Sequence, residues 1–327
     1  MRISVYMLSG LVALAMSQST AAAKRLGPPI EDLQSTPDRI RIVVVEARDK
    51  PAPGKIRFAV SDRLSGEAPD EVLLRTDDLS FADVTVGESY VVAWSYLRRN
   101  RQVIGGWEED PDGPYIVSVL GLGSTALFEG TPEMRYLFAT GNLTDTAAAD
   151  QQINALLAQM QRADARSRGL VIAELWLRKD LTEQMNPRQI AIIKDVLQTE
   201  DLEPQHRDYL LQSAYRLPAE QTAPWLGEEL RKIIIQNGTQ YDLRSFVPAL
   251  VITAAEGLRH AGSPSDIALL SILLYSNNPG VSKAALATMD YFDPKAAKAK
   301  AEQAMARGWI HSETRHALDR YLRSAGA

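Results

Sequence analysis

The chain of 327 residues contains no cysteine. That absence excludes disulfide staples, thiol nucleophiles, cysteine-ligated metal and a lipid-bearing cysteine at a processed amino terminus. Histidine is scarce as well: His206, His260, His311 and His316 are the four present, all in the second half. On an α-helix His311 and His316 stand about 140° apart around the axis, and no His-Glu-x-x-His segment aims two ligands at one metal. A Gly-x-Ser-x-Gly elbow, a phosphate-cradling Gly-x-x-x-x-Gly-Lys and a kinase signature are all missing. Gly121-Leu122-Gly123-Ser124 reads as a turn between strands. No cofactor and no metal are expected.

Excess positive charge is also lacking. Residues 24–149 carry 14 Lys or Arg against 20 Asp or Glu, and residues 150–327 carry 21 of each. An acidic half and a neutral half without a basic stripe argue against nucleic acid and anionic lipid as partners. The most apolar internal stretch, residues 267–275, is interrupted by Ser271 and falls well short of the roughly 20 residues that span a bilayer. Stable membrane insertion of the mature chain is not expected.

What is present begins with an export signal. Met1 and Arg2 supply the positive end, residues 3–16 an apolar run of 14, and Ala21-Ala22-Ala23 small residues for cleavage. The expectation is a signal peptide over 1–23, a mature chain of 304 residues, and a periplasmic or secreted location. Residues 24–38, rich in Pro and small polar residues, read as a flexible leader.

Residues 39–138 read as an antiparallel β domain. A strand from Arg39 becomes apolar on both faces at Val43, Val44 and Val45, as a central strand does. The next alternates with period two, placing Ile56, Phe58 and Val60 inward. Further strands are expected at 71–75, 89–96, 102–104, 115–120 and 125–128. Turn signals at 50–54, 65–66, 86–87 and 111–113 separate them. Such spacing indicates a small barrel or sandwich.

Near Gly141 the period changes to that of helices, so 139–149 reads as a linker and 150–327 as an α-helical domain. Asn186-Pro187, Glu203-Pro204, Ser263-Pro264, Asn278-Pro279 and Asp293-Pro294 mark helix starts. Ser263 and Asp266 have the spacing of a capping box. Five helical pairs follow, with second helices beginning near 166, 204, 245, 279 and 312. Their spacings of about 38, 41, 34 and 33 residues approach the roughly 40 to 47 of HEAT or armadillo repeats. An irregular all-helical domain is the alternative.

In the fourth pair, Asp266-Ile-Ala-Leu-Leu-Ser-Ile-Leu-Leu-Tyr-Ser followed by Asn278-Pro279-Gly280-Val281-Ser282-Lys283-Ala284-Ala285-Leu286 resembles a HEAT-type repeat. Ser282 stands where that family usually has arginine. The resemblance implies an α-solenoid presenting an extended surface. The β region is similar to the netrin-type barrel of the tissue inhibitors of metalloproteinases, an OB-like fold. It is carried by residues 43–47, 55–66 and Val86-Gly87-Glu88-Ser89-Tyr90-Val91-Val92-Ala93. Those inhibitors present an amino-terminal cysteine to a metal, and this chain has none.

One loop concentrates chemistry: Trp107, Glu108, Glu109, Asp110, Asp112 and Tyr115 surround Pro111 and Gly113. Its carboxylates are candidate Ca²⁺ ligands and its aromatics candidate partner contacts, although the EF-hand spacing is absent. The alternative is a hairpin whose Pro-Asp-Gly supplies turn geometry. In the helical half Trp176, Trp225 and Trp309 are candidate contacts for a protein partner. The functional expectation is an exported binding or scaffold protein using its helical-repeat surface. The rival readings are an envelope hydrolase with a carboxylate site assembled across the chain and a secreted inhibitor acting through β-domain loops.

Overall fold

The protein is described by a computed structural model over residues 27–99, 107–119, 122, 124–140, 146–162, 165–308 and 310–324. The expected signal peptide and the strand at 102–104 lie outside the described residues. The chain divides into two compact units, the first ending at Leu177 and the second beginning at Arg178.

The first unit is built on strands β1 (Arg41–Ala52), β2 (Lys55–Ser65), β3 (Glu71–Arg75), β4 (Ser89–Ser95), β5 (Leu97–Arg99), β6 (Trp107–Glu109), β7 (Tyr115–Ile116) and β8 (Leu127–Glu129). Five of them close a barrel in the order β1-β2-β3-β7-β4, with β4 returning to β1 and β8 added beside β4. All its pairings are antiparallel except β3 with β7, which run parallel and meet at Arg75 and Tyr115 alone. Register shifts in the β1–β2 pair, between Val44 and Val45 and again between Ala47 and Asp49, add the local twist that closing a small barrel requires.

The period-two pattern explains the core. Val43, Val45, Phe58, Leu74, Val92 and Trp94 point into the barrel. β1 is buried on its other face too, where Ile42, Val44, Val91 and Phe128 are fully or almost fully covered. There Phe128 stacks on Phe138 at 5.8 Å.

Helices of this unit are α1 (Pro29–Gln34), α2 (Asp78–Asp83), α3 (Pro132–Thr140), α4 (Thr146–Met160) and α5 (Ala165–Leu177). The supposedly flexible leader therefore contains a helix. Pro29 opens it, Ile30 and Leu33 are buried three residues apart on one face, and Glu174 of α5 accepts from the Ile30 N–H at 2.9 Å. α1 packs on α3 and α5, α3 on α4, and α4 on α5, which also touches β8. The first helical pair thus belongs to the compact unit that ends at Leu177. The outer face of β1, β4 and β8 is apolar, and apolar area left in water costs about 25 cal/mol per Å². Keeping helices with the barrel follows from that.

The second unit comprises α6 (Lys179–Thr182), α7 (Pro187–Leu197), α8 (Pro204–Ala214), α9 (Ala219–Asn237), α10 (Val247–Ala261), α11 (Ile267–Leu270), α12 (Pro279–Phe292), α13 (Pro294–Ala306) and α14 (Ser312–Ser324). The proline signals mark real starts. Asn186 and Gln189 form a capping box, Ser263 and Asp266 form another, and Asn278 and Asp293 accept from the first free N–H groups of α12 and α13. Glu203 makes no side-chain cap. Residues 264–275 are not one α-helix as expected: α11 is flanked by 3₁₀ turns at Pro264–Asp266 and Ser271–Tyr275. α8 packs on α10, α10 on α12, and α12 on α14, while α7 packs on α9 and α9 on α11.

Candidate functional site

Residues 107–115 run from β6, which pairs antiparallel with β5, through a turn to the start of β7. Asp110 Oδ1 accepts from the Asp112 N–H at 3.0 Å, and Gly113, at φ +89°, donates to the Asp110 carbonyl. This is the Pro-Asp-Gly turn. Asp110 is mostly buried and sits 2.7 Å from Arg75 Nη2, with exposed Asp112 3.5 Å from Arg75 Nη1. Arg75 thus pairs with two of the carboxylates that the sequence offered as Ca²⁺ ligands. Among the described residues no three His, Asp or Glu side chains converge as a metal site. Glu109 ends β6 in solvent. Trp107 lies under the Arg39 guanidinium at 5.7 Å, and the half-buried Tyr115 donates its hydroxyl to the Leu97 carbonyl at 3.1 Å. Both aromatics hold this unit together.

The loop walls a groove. About 360 Å³ of open space is lined by Lys55, Leu73, Arg75, Tyr96, Asp112 and Pro114, with Pro69, Glu71 and Val72 completing the lining. Leu73 and Tyr96 are 40% and 43% exposed, large for apolar and aromatic side chains beside a barrel core. Tyr96 is held edge-on to Trp94 at 5.0 Å, and the Arg41 guanidinium lies over both rings at 5.2 and 5.1 Å. Stacked in this way, Tyr96 is a fixed wall.

The tryptophans proposed for the helical surface are placed differently from one another. Trp176 is half-buried on α5 and belongs to the first unit, not to the second. Trp225 is half-buried on α9 and spends its indole N–H on the Gln221 carbonyl at 2.9 Å. Trp309 lies outside the described residues. Sequence reading missed four of the exposed large hydrophobic residues of the second unit, Ile235, Leu243, Phe246 and Ile272, each more than half exposed. Leu243 and Phe246 lie in the segment that joins α9 to α10, Ile235 in the last turn of α9, and Ile272 in the 3₁₀ turn after α11. Asn277 fastens that segment, donating to Thr239 O and Tyr241 O and accepting from the Tyr241 N–H. Further back along α9, Arg231 grips Asp266 with bonds of 2.6 and 3.0 Å. Ile235 and Ile272 lie between these two fastenings. The available signal was Leu243 and Phe246 standing in a polar, non-periodic stretch.

Two buried acids were also hidden. Asp208, on α8, is 6% exposed, and burial pushes its carboxyl up to about 6, with the negative charge of Glu256 adding to the effect. Gln212 donates to Oδ2 at 3.0 Å and Oδ1 has no partner. Burial pushes the nearby Tyr215 hydroxyl up as well, and it donates to Thr253 O at 2.7 Å. In the first unit Asp77 caps α2. Burial opposes its charge, but donors from Ser80 and Thr125 and the Arg166 cation outweigh it and hold the carboxyl low. Ser80, Thr125 and Asp77 touch one another without a histidine base among them. A second depression of about 400 Å³ is bounded by Asp290, Lys295, Lys298, Tyr321 and Ser324, with Tyr321 donating to Asp290 at 2.6 Å.

Comparison of the chain with protein-family models, curated proteins and solved structures gave no match.

Proposed function

We propose that this is an exported cell-envelope binding protein that recognises a protein partner through its helical unit. The observation that carries the reading is the exposed apolar set Ile235, Leu243, Phe246 and Ile272, fixed around a tied-down segment. Large apolar side chains held in water on neighbouring elements are candidates for an interaction site, and protein interfaces bury about 1,200 to 2,000 Å². Successive packing of α8, α10, α12 and α14, with α7, α9 and α11 forming a second row, supports a HEAT-like solenoid, an architecture that offers area on that scale. Closure of the barrel through a parallel β3–β7 pair supports the OB-like reading of the first unit. Export rests on the three-part pattern of residues 1–23.

A photo-cross-linking residue placed at Phe246 in the intact producing cells tests the proposal. The expected result is one discrete cross-linked protein, absent when the same probe replaces Leu79, which is 80% exposed on the first unit. The probe-bearing protein in that adduct is expected to begin at Lys24 or within two residues of it. A probe at Phe246 that captures nothing, or only what the Leu79 probe captures, contradicts the reading.

A further inference from the structure

The barrel is one rung short. β3 pairs with β2 along its whole length, from Arg75 opposite Lys55 to Glu71 opposite Ala59. On the other side of β3 only Arg75 is joined, its N–H donating to Pro114 O at 3.0 Å beside the single register pair with Tyr115. Along a strand successive backbone groups point to alternate sides. Since Arg75 points away from β2, Leu73 and Glu71 do so too. The opposite phase is fixed by Asp70, whose carbonyl accepts from Val60 of β2 at 2.8 Å. Among the described residues no hydrogen bond takes up the backbone groups of Glu71 and Leu73 on their outer side.

This open edge lines the 360 Å³ groove described above. We infer that the groove takes a short extended peptide segment, which pairs as an added strand with the free edge of β3 at Glu71 and Leu73.

The chemistry of the edge selects the occupant. Two residues of β3 repeat at about 7 Å, and an extended polypeptide carries N–H and C=O groups at that same repeat. Leu73 and Tyr96 supply apolar walls for one side chain, and specificity in strand addition comes from such alternate pockets. Arg75 is already engaged by Asp110 and Asp112, so the charges left at the groove are Lys55 and Glu71, one of each sign. An uncharged segment with a central apolar residue matches that balance. Pro69 and Pro114 flank the opening and limit the added strand to a few residues, which also guards the edge against open-ended pairing. The site lies wholly in the first unit and stands or falls separately from the helical surface.

The probe is a pool of eight-residue peptides with alternating polar and apolar positions, passed over the immobilised full chain. Retained peptides are expected to slow hydrogen exchange at the Leu73 and Glu71 amides at least tenfold in the ¹⁵N-labelled protein. N-methylation of alternate peptide nitrogens, which removes donors but keeps side chains, is expected to weaken binding at least tenfold, as is Tyr96→Ala. Leu73→Pro deletes the outward donor, and its folding is checked by melting. Tyr96→Ala carries the test if that variant fails to fold. Retention of no peptide, retention with unchanged exchange at those two amides, or indifference to N-methylation overturns the inference. Protection of the same amides by a chitin oligosaccharide instead of a peptide overturns it in favour of a glycan site.

Discussion

Asp208 is held out of water on α8, with Gln212 donating to its Oδ2 at 3.0 Å. Its carboxyl, raised from 3.8 to about 6 by burial, binds a proton more tightly in the folded state than in the unfolded one. The folded state is therefore favoured while the group stays protonated. The advantage begins to fall as pH rises above 3.8 and is gone above about 6, at a cost on the order of 3 kcal/mol for a shift of this size. Asp208→Asn removes the charge and keeps the shape. It is expected to raise the melting temperature at pH 7.5 and to bring variant and parent together near pH 4. A variant less stable than the parent at both pH values would contradict this account. A propensity reading has no access to such a residue: Pro204-Gln-His-Arg-Asp208 looks like a polar first turn, and only the packing of α10 against α8 encloses it. The acids at 110 and 112 were legible as turn formers, whereas Arg75, 35 residues earlier, was not legible as their partner.

Helix starts were the clearest signals in the chain, because a cap and a proline act within one turn and need no tertiary partner. The capping groups of Asn186, Ser263, Asn278 and Asp293 act where the sequence places them. What happens between caps depends on neighbours. At the end of residues 264–275 the carbonyls of Leu273 and of Ser276, the residue just after, accept from Ser282 and Thr314, contacts from later helices that go with a tightened 3₁₀ end. Ser282, fully buried, makes the first of these. Close helix approach is likewise invisible locally. A Cβ on Gly257 of α10 would lie 2.1 Å from the Tyr215 hydroxyl, so Gly257→Ala is expected to force the helices apart. The predicted loss is about 1–3 kcal/mol, the usual cost of overpacking, despite the better helix propensity of alanine. Thermal melting checks it, and an unchanged or raised midpoint would show that the contact yields freely.

At the scale of the whole molecule, the change from period two to helical period near Gly141 located the end of the strands but not the end of the first unit. Apolar residues on the outer faces of β1, β4 and β8 require a cover, and the helices through Leu177 belong to the same compact unit. The groove beside β3 was hidden for a related reason: it arises from the pairing of Arg75 with Tyr115, 40 residues apart, and from what that pairing leaves open. The exposed set on the second unit depends on Asn277 fastening the segment after α9. Recognition of a protein through that set is the central claim, and interface hot spots cost about 2 kcal/mol or more each on truncation. The direct measurement is the dissociation constant of the purified full chain for the protein cross-linked at Phe246, compared with an Ile235→Glu, Phe246→Glu double variant. The variant is expected to bind about 100-fold more weakly, equivalent to about 2.7 kcal/mol, with its melting temperature unchanged and with Leu79→Glu binding as the parent does. An affinity within twofold of the parent, in a variant that melts normally, would contradict the claim.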